Sequence, residues 1–347
     1  MKIGVLADLS EDYANFLKGN HQGVELAVED LKKETNREIQ IIIEDQKSCD
    51  KKETVTIMQK FVSIDEVDFI VGGTCSSTTL AAAPIANQNK TVMISAVSSA
   101  PSISEAGEYV FRTSISDVLR SEVGAKLAFD LGKRRMAVFT DISNDAFVEL
   151  AKGAKEYFAG VGGEIVAEEE VLTNSETDFQ TVLSKIREAN PDFLMLLLGP
   201  TQIGLFAKQA REMDLNIQLI VPLETAEDKQ VIEIAGDTVE GLLYIMPGNP
   251  PETPRYQELK NKYKEKYTEE ADLPYLTEAY DAAMLGVKAV LASDGSREDI
   301  CDKLFEVSKT YEGISGNIEF DENGDVVKET LIKTIQNGEF VVYTPNE

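Results

Sequence analysis

The chain has no tryptophan, a single histidine and only three cysteines. The scarcity of histidine bears most on function. A Ser/His/Asp or Cys/His catalytic arrangement would have to be built on His21, which falls in a helical stretch at residues 15–33 and reads better as a surface or packing residue. No GxGxxG follows the first strand, and no GxxxxGK followed by Ser or Thr occurs anywhere. The usual phosphate-cradling signatures are therefore missing, and no cofactor is expected. Cys49, Cys75 and Cys301 form no CxxC and no Cys/His cluster at ligand spacing, so no metal site is expected. Basic residues are few: 34 Lys and Arg stand against 61 Asp and Glu, a formal charge of -27 that repels a phosphate backbone. No basic stripe with interleaved aromatics offsets it, so a nucleic-acid partner is not expected. Adjacent acids such as Glu227 and Asp228 are too common in such a chain to imply acid–base chemistry. The longest apolar run, residues 193–198, suits a buried strand and is far short of the roughly 18 residues a membrane span needs.

The 347 residues suffice for about two domains, and 43% hydrophobic content for their cores. The chain opens on a strand at residues 2–7 with neither a basic segment nor an apolar signal core ahead of it, so either it is cytoplasmic or an export signal has been removed. Apolar strand-like runs at 3–7, 39–43, 69–71 and 92–95 are separated by helical spacing such as Val24, Ala27, Val28 and Leu31. The rhythm resumes with strands at 136–140, 165–166, 193–198 and 219–221 and a helix at 145–159 followed by Gly160, Gly162 and Gly163. Two successive βαβα sets predict an α/β protein of two doubly wound parallel-sheet lobes. Ligands of such folds sit beyond the carboxyl ends of the strands.

Two segments after strands stand out. Gly72-Gly73-Thr74-Cys75-Ser76-Ser77-Thr78-Thr79 leaves a strand, passes two glycines and enters a predicted helix at 80–89. Hydroxyls beside the positive end of a helix make a receptor for a carboxylate, although Ser76 or Ser77 also reads as a plain N-cap. Ser95-Ala96-Val97-Ser98-Ser99-Ala100-Pro101 follows the next strand and again supplies small hydroxyls, or an ordinary turn closed by Pro101.

Gly4-Val5-Leu6-Ala7, Tyr13 and Ala14, the segment 23–30, Gly73-Thr74-Cys75-Ser76-Ser77-Thr78, the segment 94–101, Glu105-Ala106-Gly107, Phe111-Arg112 and Ile234-Ala235-Gly236-Asp237 together resemble the type I periplasmic binding proteins of the leucine/isoleucine/valine-binding kind. The resemblance runs from about residue 2 to about 343. It implies two lobes joined by a three-crossing hinge, residues 1–117 with 249–325 and residues 118–248 with 326–347, and a ligand cleft between them. It assigns Ser76 and Ser99, with backbone around Val97, to a ligand carboxylate, and Glu224 to an α-ammonium. Hydroxyl donors at one end and an acceptor-only carboxylate at the other suit a zwitterion. Phe16 and Tyr275 would wall the ligand side chain. Ala146 stands where the family usually carries an aromatic, and Gly199 and Pro200 where some members carry tyrosines, which points to a larger or differently shaped ligand. Glu278 and Asp117 are further polar candidates, each with a structural alternative.

The resemblance also implies a Cys49–Cys75 disulfide with Cys301 free. Such a bridge contributes about 3.5 kcal/mol in the chain-entropy treatment and persists only in an oxidising compartment. The expected role is that of a non-enzymatic, monomeric solute-binding protein of an ABC importer, outside the cytoplasmic membrane, closing on a small amino acid, neutral and aliphatic or branched-chain first, and presenting it to a membrane permease. The alternative is a ligand-sensing module that binds an amide or another small carboxylate. Asp321-Glu322-Asn323-Gly324-Asp325 lacks the spacing and terminal acid of an EF-hand, and a polar turn is expected there.

Overall fold

The first strand, Lys2–Ala7 (β1), is fully buried from Ile3 onward in the computed structural model, which describes residues 1–10, 14–47, 49–172, 176–248, 252–269, 271 and 275–344, without the side chains of 14–16, 145, 224 and 247. Burial on both faces is what a parallel strand covered by helices requires. The chain continues through Ala14–Thr35 (α1), Gln40–Asp45 (β2), Lys51–Lys60 (α2), Phe69–Val71 (β3), Ser76–Gln88 (α3), Met93–Ser95 (β4) and Val110–Arg112 (β5). It then runs through Asp117–Asp130 (α4), Arg135–Asp141 (β6), Asp145–Gly160 (α5), Glu164–Val171 (β7), Gln180–Ala189 (α6), Phe193–Leu197 (β8), Pro200–Glu212 (α7), Gln218–Val221 (β9), Lys229–Ala235 (α8) and Leu243–Pro247 (β10). Pro254–Tyr267 (α9), Leu276–Ala292 (α10), Arg297–Ser308 (α11), the two-residue strands Glu312–Gly313 (β11) and Gly316–Asn317 (β12), and the strands Thr330–Gln336 (β13) and Glu339–Val342 (β14) complete it. Two units result, Met1–Ser116 with Asn249–Lys328, and Asp117–Gly248 with Glu329–Glu347.

In the first unit β2-β1-β3-β4-β5 form a parallel sheet. Val24, Ala27, Val28 and Leu31, the helical stripe of α1, are buried in one core with most of α10. A helix buried on nearly all sides, as α10 is, belongs to a domain interior. The third helix begins at Ser76 rather than Leu80. Cys75 is its N-cap, and the Cys75 N–H donates to Thr78 Oγ1 at 3.3 Å. Ser76 and Ser77 therefore occupy the first helical turn, and neither is the cap.

The second unit has its own sheet, in the order β14-β13-β10-β9-β8-β6-β7. Its interior strand β8 is Phe-Leu-Met-Leu-Leu and buried throughout, while β7 at the edge carries exposed glutamates. Phe139, Phe179 and Phe206 pack ring to ring at 5.3–5.7 Å in its core. This sheet departs from the purely parallel expectation, because β13 runs antiparallel to β10 and β14 antiparallel to β13. For β14 the cause is local: Asn337 (φ 54°) and Gly338 (φ 71°) make the tight turn that joins it to β13. Glu240 accepts both of their N–H groups, at 2.8 and 2.7 Å.

Candidate functional site

At the carboxyl ends of β3 and β4 the two hydroxyl-rich loops are sewn together. Gly72 (φ 131°) and Gly73 (φ 65°) turn the chain out of β3 in conformations that L side chains rarely adopt. The Gly73 carbonyl accepts from Ser95 Oγ (2.7 Å) and Ser98 Oγ (3.0 Å). With the Ser98 proton committed there, Thr79 is the donor of its 2.7 Å bond to Ser98 Oγ. Ser95 Oγ accepts from the N–H groups of Val97 and Ser98 at 3.3 and 3.0 Å. Thr79, Ser95 and Ser98 are all buried and spend their hydroxyls on holding the loops.

Ser76 and Ser99 are half-buried, and the loop that carries Ser99 also carries the buried Val97. Ser76 Oγ accepts from the Ala100 N–H at 3.2 Å, which joins the start of α3 to the loop after β4. The structure thus brings Ser76 together with the loop that carries Val97 and Ser99. The patch is anchored from beneath by Arg112, fully buried at the end of β5. Arg112 donates to the Ala100 carbonyl (2.8 Å) and to Ser104 Oγ (2.8 Å), and forks onto Asp325 at 2.6 and 2.7 Å. Asp321 Oδ1 accepts from the N–H groups of Asn323 (2.8 Å) and Asp325 (2.9 Å), so the acidic stretch 321–325 is a self-capped turn that delivers Asp325 to Arg112.

Other candidates of the first unit fall as follows. Tyr275, at the start of α10, has φ 63° and packs partly buried against the main core. Glu278, one turn on, accepts from Thr277 Oγ1 at 2.9 Å and has Lys328 Nζ at 3.9 Å. The side chain of Phe16 lies outside the described residues. His21 is half-buried on α1, and burial lowers its pKa, opposed by Glu25 and aided by Lys266. Cys49 and Cys75 are joined in a disulfide, with Cα atoms 5.8 Å apart, within the usual span of a bridge. Cys301 is a free thiol in the interior, and burial pushes it up to about 12. Asp8 sits fully buried just past β1 and accepts from the Thr74 hydroxyl, from Gln46 Nε2 (3.1 Å) and from the Cys49 N–H (3.1 Å). Its carboxylate and the two bridged sulfurs lie within 4.8 Å of one another. Sulfurs bonded to each other are not thiolates, the form that holds a metal.

In the second unit, residues at or just past the ends of β6, β8 and β9 line a concavity of ≈ 560 Å³: Asp141, Ser143, Asn144, Phe147, Gly199, Pro200 and Thr225. Asp141 Oδ1 accepts from the Ser143 N–H and hydroxyl at 2.9 and 2.6 Å, and Asn144 caps α5 by accepting from the Ala146 N–H at 3.0 Å. Ala146 is half-buried in that first turn. Gly199 and Pro200 add little bulk to the wall, as their residue types dictate. Glu224 begins the 3-10 turn Glu224–Glu227 just after β9, and its side chain lies outside the described ones. Its neighbour Thr225 lines the concavity with a buried hydroxyl that has no partner among the described residues. Asp117 is buried at the start of α4 with Arg120 Nε at 3.8 Å.

Sequence reasoning had a signal for Asp8 and Asp141, since each follows an apolar strand directly. It had none for the Arg112–Asp325 pair, whose members are far apart in the chain.

The family model of periplasmic binding proteins matches residues 1–338, and the chain belongs to that family, in its leucine/isoleucine/valine-binding branch. A leucine-, isoleucine-, valine-, threonine- and alanine-binding protein from Pseudomonas aeruginosa is 26% identical, the match covering 99% of this chain and 89% of the relative. A Leu/Ile/Val-binding protein from Escherichia coli is 25% identical, with 94% and 88% covered. Among solved structures, a leucine binding protein from Thermotoga maritima superposes with a TM-score of 0.76 at 28% identity, over 99% of this chain and 98% of that one.

Proposed function

We propose that the chain is the extracytoplasmic solute-binding protein of an ABC importer and binds a small neutral α-amino acid, aliphatic ones first, without turning it over. The observation that carries this reading is the patch at the start of α3, where Ser76 is tied to the loop of Val97 and Ser99 at the carboxyl ends of two parallel strands. A helix N-terminus flanked by hydroxyls favours a carboxylate. Glu224 takes the α-ammonium, Phe16 and Tyr275 wall the ligand side chain, and Ala146, Gly199 and Pro200 leave it room. Closure of the two lobes about the three crossings traps the ligand, and the closed monomer delivers it to a membrane permease. The relatives named for leucine, isoleucine and valine support the ligand class. The Cys49–Cys75 disulfide supports a site of action outside the reducing cytoplasm.

The test is thermal unfolding of refolded, ligand-free protein against amino acids, small carboxylates, amides and sugars. Leucine, isoleucine or valine at a thousandfold excess over Kd adds about 4 kcal/mol to the native state and raises the midpoint visibly. A shift with sugars or amides alone would leave the fold standing and remove the roles given to Ser76, Ser99 and Glu224.

A further inference from the structure

Just past β9, the backbone turn Glu224–Glu227 is a single 3-10 turn. Such turns are short, and their hydrogen bonds are poorly directed, so an unsupported one holds its side chains loosely. This one ends on Glu227, and both oxygens of that carboxylate are taken by donors from other strands. Tyr244 Oη donates to Oε2 at 2.9 Å and Lys333 Nζ to Oε1 at 2.5 Å. Tyr244 on β10 and Lys333 on β13 are directly opposite each other in the antiparallel pair, with Nζ 5.8 Å from the ring centre. Tyr244 is fully buried, so its hydroxyl is a fixed point of the core. Burial and the neighbouring Glu227 carboxylate both push the phenol pKa upward, which keeps it a donor.

Two separate donors fix both the position and the rotation of a carboxylate. The next residue, Asp228, caps α8 by accepting from the Gln230 N–H at 2.8 Å, so the exit of the turn is fixed as well. The turn also holds the Thr225 hydroxyl buried without a partner among the described residues, at the wall of the concavity. The Lys333 pair by itself adds little, because the Glu227 side chain is 30% exposed, while the buried Tyr244 hydroxyl needs Glu227 as its acceptor.

We propose that Glu227, gripped by Tyr244 and Lys333, is a positioning residue of the ligand site: it fixes the turn that presents Glu224 and thereby sets the affinity for the ligand's ammonium group. This rests on the reading of Glu224 as the ammonium acceptor. Glu227 touches no ligand in this scheme. Its effect passes through Glu224, so it must fall selectively on ligands that carry an ammonium.

Calorimetric titration of the full chain with L-leucine and with 4-methylpentanoate, which has the same branched chain and carboxylate but no ammonium, tests this. Glu227→Gln is expected to weaken leucine about tenfold while 4-methylpentanoate changes less than about twofold. Tyr244→Phe, which keeps the ring packing, moves leucine in the same direction by a smaller factor. In a Glu224→Gln background the second change Glu227→Gln adds nothing further, as expected of residues acting as one unit. Equal losses on both ligands, an additive effect in that background, or an unchanged leucine affinity in Glu227→Gln would each overturn the positioning role. If instead Glu224→Gln alone leaves leucine binding intact, the assignment of Glu224 falls, a failure that the single variant reveals separately.

Discussion

Glu224→Ala is expected to weaken amino-acid binding by roughly 30-fold to several thousandfold, equivalent to about 2–5 kcal/mol for removing one partner of an enclosed, hydrogen-bonded charge pair. The size follows from what is left behind. An ammonium enclosed with the ligand would keep its charge and lose its counter-charge, and hydroxyls or carbonyls replace a carboxylate poorly. Calorimetry of the variant with leucine reads the loss directly. Melting of the ligand-free variant serves as the control for folding, so that a loss of affinity is separated from a loss of stability. A loss below about threefold would remove Glu224 from the site.

Asp325→Ala is the second large effect, and it falls first on stability. Arg112 is fully buried and forks onto Asp325, so alanine leaves a guanidinium in the interior without its counter-charge. Breaking such a pair from one side costs about 3–5 kcal/mol, whereas most single changes cost about 1. Urea unfolding measures it. Because Arg112 also holds the Ala100 carbonyl, at 2.8 Å, the loop that carries Val97 and Ser99 should loosen and ligand affinity should fall as well. Replacing both members together, Arg112→Met with Asp325→Leu, should restore part of the stability, since it removes the stranded charge. A cost below about 1 kcal/mol for Asp325→Ala would mean that the pair is solvated and does not support the site.

The βαβ rhythm was legible because buried parallel strands read as continuous apolar runs, and Phe193 to Leu197 is buried at every residue. The hydroxyl clusters were legible because strand ends are where such folds place ligands, and Ser76 and the loop of Ser99 do meet there. The start of α3 is poorly legible because Ser and Thr are weak helix formers, so residues 76–79 read as loop although the helix begins at Ser76 behind the Cys75 cap. The β13–β14 hairpin has a plain turn signal in Asn337-Gly338. Glu227, Tyr244 and Lys333 had no signal at all. Their meeting depends on the antiparallel register of β10 against β13, which no local pattern encodes.

A single titration series with leucine, leucinamide and 4-methylpentanoate tests the zwitterion clamp most directly, because the second ligand lacks the carboxylate and the third the ammonium. If Ser76 and Ser99 hold one end and Glu224 the other, each truncated ligand binds at least about 30-fold more weakly than leucine, the loss of one charge-assisted anchor of about 2 kcal/mol. Binding of either truncated ligand within about threefold of leucine would contradict the clamp and show that the corresponding end of the ligand is not held.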